Sequence, residues 1–257
     1  MYDYHVHSVY SDGSRFEPMV AAAAEAGVTA VGFADHCNLS VDARRQRERA
    51  RYHRNFDLTY ERRREALAAV RAETDLTVFD AVEVDYEPAA EEDIAAFLQE
   101  AGFDYSLGSV HYVGDPDVFG YDSFAAESEQ ERRRFVDDYY DTVVSLIDSE
   151  LFDIAAHVDI VESHPDLSGL TTCAHAERVA DAFQRSRTVP ELNAGRFEDE
   201  EKPAAFHPEG RVFEMLLDRG VEFTLGTDAH SPDDFAERVP ALRDRAQRYG
   251  IDPVCPL

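Results

Sequence analysis

What most restricts the fold of this chain is where its metal-competent side chains fall relative to its apolar runs. Seven short stretches rich in apolar and β-branched residues read as strands, near 2–7, 29–35, 76–85, 104–110, 152–157, 189–193 and 221–227. Helical patterns separate them. The first opens with Pro18 and runs from Met19 to Ala26 before Gly27 stops it. Later ones lie near 59–73, 91–101, 127–149, 175–186, 208–219 and 233–249. Six of the seven strands end in a side chain able to bind a metal: His5 with His7, then His36, Glu83, His111 and His157, and finally Asp228 with His230.

Strict alternation of strand and helix implies parallel strands with helices outside, as a closed barrel or an open doubly wound sheet. The ligand pattern favours the barrel, because only at the carboxyl end of a barrel do loops from every strand converge. In an open sheet the outermost strands could not reach one point. No low-complexity linker divides the 257 residues, so a single domain over 1–257 is expected.

Each motif is weak alone. In His5-Val6-His7 the two imidazoles stand two apart on a strand and can chelate one ion, but unrelated surface pairs have the same spacing. Asp12 follows in a Ser-Asp-Gly turn. Asp35-His36 ends an apolar strand, and Val82-Glu83-Val84-Asp85-Tyr86 places two carboxylates on one side of another. Buried carboxylates without a cation are expensive, so Glu83 reads as a bridge between ions and Asp85 as a supporting or substrate-facing group. His111 and His157 each follow an apolar run, where a lone histidine is usually a hydrogen-bonded core residue; repetition of the arrangement changes that reading. Asp228-Ala229-His230 closes the set. Nine nitrogen and oxygen ligands are too many for one ion and suit three. Such a cluster could make a hydroxide between two ions sharing Glu83 and neutralise the oxygens of a phosphate monoester, with Glu83, Asp228 and His230 at the reacting centre. The donor set permits Zn, Mn, Fe or Co. His53, His164 and His175 read as helix-surface or loop residues, whereas His207, before Pro208, is placed to line the pocket.

Charge narrows the partners. The chain has 25 basic and 53 acidic residues, a net charge of −28, and Lys202 is its only lysine. A dense carboxylate surface with lysine depleted points to life in high salt. It also argues against nucleic acid, whose phosphates need basic stripes. No apolar run is long enough to span a bilayer, and Met1-Tyr2-Asp3-Tyr4-His5 does not start like a targeting segment, so the expected location is the cytoplasm. Cys37, Cys173 and Cys255 form no C-x-x-C pair and indicate neither disulfides nor a thiolate zinc site. The arginine-rich stretch from Arg44 to Arg54 has two readings, a lid offering a phosphate contact or a solvated helix.

Taken together, His5-x-His7, Ser11-Asp12-Gly13, Asp35-His36, Glu83, His111, His157 and Asp228-Ala229-His230 resemble, in order and across almost the whole chain, the polymerase and histidinol phosphatase (PHP) family. That resemblance implies a distorted seven-stranded β/α barrel with a trinuclear metal site. It would give one ion to His5, His7, Glu83 and Asp228. A second would share Glu83 and take His111, and a third would take Asp12, His36, His157 and His230. The segments around Glu83, His111 and His157, with Glu191-Leu192-Asn193-Ala194-Gly195, are similar to the histidinol-phosphatase branch. That likeness implies hydrolysis of L-histidinol phosphate in histidine biosynthesis and makes Arg196 the candidate for holding the phosphate. The segment from Arg196 to Pro203 is more acidic than that branch suggests, which leaves a nucleotide or another small phosphate ester as the alternative. An amidohydrolase would share the His-x-His start but commonly needs a bridging lysine, and Lys202 lies in a loop. A non-catalytic metal-binding module would be favoured by lost ligands, and none of the nine is missing.

Overall fold

The computed structural model describes residues 1–40, 42–51, 53–114, 118, 124–196 and 205–256. Seven parallel strands form one sheet in chain order: β1 (Tyr2–Val6), β2 (Ala30–Asn38), β3 (Thr77–Asp85), β4 (Tyr105–Ser109), β5 (Ile154–Ala155), β6 (Val189–Asn193) and β7 (Thr224–Gly226). The sheet curls until its ends meet just beyond β7, where Asp228 N donates to His5 O (2.8 Å) and His7 N to Ala229 O (2.9 Å). This is the nearly closed seven-stranded β/α barrel that the ligand pattern and the resemblance favoured over an open sheet.

Eight helices accompany the strands among the described residues: α1 (Phe16–Glu25), α2 (Ala43–Arg51), α3 (Tyr60–Arg71), α4 (Glu91–Ala101), α5 (Glu129–Asp148), α6 (Cys173–Arg185), α7 (Gly210–Asp218) and α8 (Asp234–Tyr249). Local chemistry sets their starts. At α5, Ser128 Oγ accepts from Glu131 N while the Glu131 carboxylate accepts from Ser128 N, which satisfies donors that a helix N-terminus leaves unpaired. None of these helices is long and apolar enough to cross a membrane.

Two apolar layers hold the barrel. Outside, α1 packs Phe16, Met19 and Val20 with Val31, Phe33, Leu67 and Val239, while α5, α6 and α7 cover the other half of the sheet. Inside, Tyr4, Ala34, Ala81, Tyr105, Leu107 and Ile154 form a separate cluster. Ala34 and Ala81 lie two residues before His36 and Glu83 on the same inward faces, so this cluster is the apolar floor beneath the polar end. In β1 a register shift between Asp3 and Val6 interrupts the alternation. It lets Tyr4 join the floor and still turns His5 inward.

β5 and β7 are shorter than the sequence pattern suggests, and for a related reason at each carboxyl end. His157 adopts φ 30° and Asp228 φ 54°, left-handed conformations that few non-glycine residues tolerate. The chain bends there and the ladder ends. Such backbone strain, roughly 1–3 kcal/mol per residue, persists only where the surroundings enforce it and concentrates at functional sites.

Candidate metal centre

The strand ends bring the nine expected ligands to one end of the barrel. His5, His7 and Glu83 are fully buried, and His36, His111 and His157 nearly so. Glu83 is the hub. Its Oε2 lies 2.7 Å from His36 Nδ1, 3.3 Å from His5 Nε2 and 3.6 Å from His7 Nε2. Its Oε1 lies 3.1 Å from His157 Nε2 and 3.6 Å from His111 Nε2. On the solvent side, Asp228 Oδ1 is 3.1 Å from His7 Nε2, and Asp12 lies 3.4 Å from His230 Nε2 and 3.6 Å from His36 Nε2.

Three groups of donors are compact enough to hold an ion: His5, His7 and Asp228; His36, Glu83 and His111; and His7, Asp12, His36 and His230. Further observations fit a metal. Glu83 Oε2 and His36 Nδ1 are buried 2.7 Å apart and have no hydrogen-bond partner beyond that ion-pair contact, and His157 Nδ1 is buried and unpartnered. Buried polar atoms left this way cost on the order of 1–3 kcal/mol each, more if charged, and a cation between them removes that cost. The nitrogen and oxygen donors suit Zn, Mn, Fe or Co.

The apportioning implied by the resemblance changes at several residues: Glu83 falls outside the group of His5, His7 and Asp228, His36 also groups with Glu83 and His111, and His157 moves. His157 does not stand with Asp12, His36 and His230; it meets the opposite oxygen of Glu83, with its ring 5.1 Å from that of His111. His7 takes its place in the rim group. The cause is local: the left-handed turn at His157 directs its ring toward β4 and Glu83.

Electrostatics divide the cluster. Burial and the cations expected at His230 and His36 push His7 down to about 4. At His230, burial works against the cation, but Asp12 and Asp228 outweigh it and raise the ring to about 9. Burial alone would raise the Glu83 and Asp228 carboxyls, yet the surrounding imidazoles hold both well below the usual range. The site therefore keeps its carboxylates ionised, as ligation requires.

Two residues expected to face substrate do not. The Asp85 carboxylate accepts from His111 Nδ1 at 2.5 Å, from Arg54 Nη1 at 3.0 and 3.1 Å and from Asn38 Nδ2 at 2.8 Å. It holds His111 with Nε2 toward Glu83 and has no oxygen left for a ligand. His207 is fully buried: Nδ1 donates to Asp159 (2.6 Å) and Nε2 accepts from Ser163 Oγ (2.7 Å). With both nitrogens engaged it braces the loop after β6 rather than lining the pocket. Arg196 stands half-buried just beyond β6, and Lys202 lies outside the described residues.

Two residues in segments noted from the sequence take supporting roles that the sequence did not state. Arg54 follows the arginine-rich helix α2 and reaches back to Asp85, so neither the lid nor the solvated helix describes it. Glu191, on β6, is fully buried and accepts from His5 Nδ1 at 2.9 Å. A glutamate at an inward position of an apolar strand was the available signal for it.

Comparison with known proteins agrees with this architecture. A curated relative from Deinococcus radiodurans, described as a probable histidinol-phosphatase, is 27% identical over 94% of this chain and 92% of its own. A histidinol phosphate phosphatase from Lactococcus lactis, solved with zinc, L-histidinol and phosphate, matches with TM-score 0.73 and 19% identity, covering 98% of this chain and 94% of that one. A Listeria monocytogenes protein proposed to be a histidinol phosphatase matches with TM-score 0.72 and 19% identity over 92% and 98% of the two chains. At these identities the structural matches establish the fold. The PHP domain model matches residues 3–195, three quarters of the sequence and seven of its nine converging ligands, and the chain therefore belongs to the PHP domain family.

Proposed function

We propose that this protein is a metal-dependent phosphatase that hydrolyses L-histidinol phosphate to L-histidinol and phosphate, a step of histidine biosynthesis. The observation that carries the reading is the convergence of nine imidazole and carboxylate ligands around Glu83 at the open end of a PHP barrel. The substrate follows from the histidinol phosphatases among its relatives.

In this reading three divalent ions, of Zn, Mn, Fe or Co, would be held by His5, His7 and Asp228, by Glu83 with His36, His111 and His157, and by Asp12 with His230 and the outer faces of His7 and His36. Bound there, they would supply an activated water and neutralise phosphoryl oxygens. The protein's own part is positioning. Glu83, Asp228 and His230 span the cluster from floor to rim, Arg54 and Asp85 lock His111, and Arg196 is the group assigned to the phosphate. Asp12 and His230 have side chains 43% and 36% exposed, so substrate arrives from their side. The acidic surroundings suit the substrate's ammonium group and repel polynucleotides. The −28 net charge supports a protein adapted to concentrated salt.

The test is a panel of phosphate esters assayed in molar salt after reconstitution with each metal. Turnover of histidinol phosphate well above that of p-nitrophenyl phosphate supports the proposal; equal turnover of the two sinks it.

A further inference from the structure

Beyond the ligands, the barrel buries a carboxylate whose hydrogen-bond partners among the described residues are all donors. Glu191 is fully inaccessible. Its Oε1 accepts from His5 Nδ1 at 2.9 Å, and its Oε2 accepts from Asn193 Nδ2 at 3.0 Å and, more weakly, from His157 N at 3.4 Å. The Asn193 amide cannot turn to change this. Its Oδ1 already accepts from Gly195 N at 2.7 Å, and its Nδ2 also points toward Asp228 Oδ2 at 3.4 Å. Glu191 thus joins β6 to two histidine-bearing segments, His157 after the neighbouring β5 and His5 on β1 beyond β7.

The backbone is arranged to admit it. A Cβ on Gly226 of the adjoining strand β7 would sit 1.7 Å from Glu191 Oε1 and 2.6 Å from His5 Cβ. No side chain fits between them, so the residue opposite the Glu191–His5 pair must be glycine. That space is occupied by the Glu191 carboxylate and the His5 side chain.

We propose that Glu191 is the positioning residue of the metal centre: it fixes His5 with its proton on Nδ1 and its Nε2 lone pair directed at Glu83 and Asp228, and Gly226 provides the room. The inference rests on the metal-centre reading and adds a residue that ligates nothing. It follows from the donor arithmetic. A carboxylate accepts on both oxygens, whereas an amide at this position has one acceptor and one donor end. A glutamine could place its NH2 on His5 Nδ1, which moves the ring proton to Nε2 and removes the ligand. Alternatively it could place its NH2 against the Asn193 and His157 donors, which leaves buried groups unsatisfied. Supporting carboxylates of this kind typically change metal affinity by about 10- to 100-fold.

The experiment compares the full-length protein with Glu191→Gln and Gly226→Ala. Zinc stoichiometry and affinity are measured by competition with a chromophoric chelator, and the His5 tautomer by ring 15N shifts, assigned through the signal lost in His5→Gln. The expected result is about 10- to 100-fold weaker zinc at one site in Glu191→Gln, with the His5 ring proton redistributed between its nitrogens. Gly226→Ala, which keeps the carboxylate but displaces it, should weaken zinc at the same site; this second variant also serves if Glu191→Gln does not fold. Wild-type zinc affinity in both variants, or wild-type zinc affinity with an unchanged His5 signature in a folded Glu191→Gln, overturns the proposal. Because zinc is the probe, the outcome is separable from the substrate assignment: a wild-type protein that binds zinc but ignores histidinol phosphate leaves this inference standing.

Discussion

Replacing Arg63 with methionine should remove a large share of the protein's stability, although Arg63 touches none of the nine ligands. Arg63, on α3, is completely buried. Its guanidinium donates to Asp35 Oδ2 at 2.7 Å and Phe33 O at 2.9 Å, pairs closely with Asp80, and lies 4.0 Å from the centre of the Phe56 ring. Removing one member of a buried ion pair costs about 3–5 kcal/mol, because the partner stays buried and uncompensated. Asp35 is then left buried with no cation, while Asp80 keeps Arg64 Nε at 2.6 Å, so the middle of that range applies. Against a total stability of roughly 5–15 kcal/mol this is a large fraction. For a chain of this size it corresponds to a fall of about 10–20 °C in Tm. Urea denaturation at pH 8 measures it. The cost has a pH signature. Burial opposes ionisation of Asp35, but Arg63 holds its carboxyl below the ordinary value, so the ion pair contributes stability above about pH 4 that is lost in stronger acid. Without Arg63 the buried Asp35 carboxyl can protonate, and the deficit of the variant should shrink as pH falls toward 5. The triple variant Asp35→Asn/Arg63→Met/Asp80→Asn should recover much of the loss, since it buries no net charge. A Glu-to-Lys-like surface cost, under about 1 kcal/mol, or a deficit independent of pH, would refute the reasoning. The same carboxylate accepts from Ser8 N, Ser8 Oγ and Ser11 Oγ, each at 2.7 Å, so surviving Arg63→Met protein should also bind metal less tightly at Asp12.

Asp3 is fully buried, and desolvation pushes its carboxyl up to about 6 despite hydrogen bonds from Thr227. A folded-state value above the unfolded one favours folding below about pH 4 and loses that contribution as pH rises through 6. Asp3→Asn should therefore be more stable than the wild type at pH 8 by about 2–3 kcal/mol and lose that advantage in acid; thermal melts across pH check this. Raising KCl from about 0.1 to 1 M cuts the screening length from roughly 10 to 3 Å, so with −28 charges the melting temperature should climb by several degrees or more. A flat or falling salt dependence would contradict the self-repulsion argument. Arg196→Ala should lower kcat/KM for the phosphate ester by about a hundredfold without changing metal content, as seen in steady-state kinetics beside elemental analysis.

The strands and the ligands were legible because both signals are local. An apolar run ending in histidine or an acid states its own position in a barrel, and repetition of that ending supplies the third dimension. The residues that support the ligands are a different case. Glu191 acts on His5 across 186 residues of chain, and nothing at Pro190-Glu191-Leu192 names its partner. Asp85 was read as a carboxylate on the right face, but its partners Arg54, His111 and Asn38 come from three other parts of the chain, so its occupancy could not be counted. His207 looked free because Ser163 and Asp159 lie 44 and 48 residues away. The placement of His157 turned on a backbone angle at one residue, which residue type does not encode.

The graded burial of the cluster also sets a sequence in time. His5, His7 and Glu83 are sealed at the bottom, whereas Asp12 and His230 stand at the mouth with 43% and 36% of their side chains in solvent. If the three ions of the proposed reading are bound, an ion destined for the floor would have to pass the rim position and leave by the same route. Loading would then be last-in, first-out: the outermost metal would exchange with buffer quickly, and the deeper ones only after it had gone. A preparation exposed briefly to a chelator would hold a uniform population missing its rim metal rather than a random mixture, and its activity would return as fast as that single ion can diffuse back.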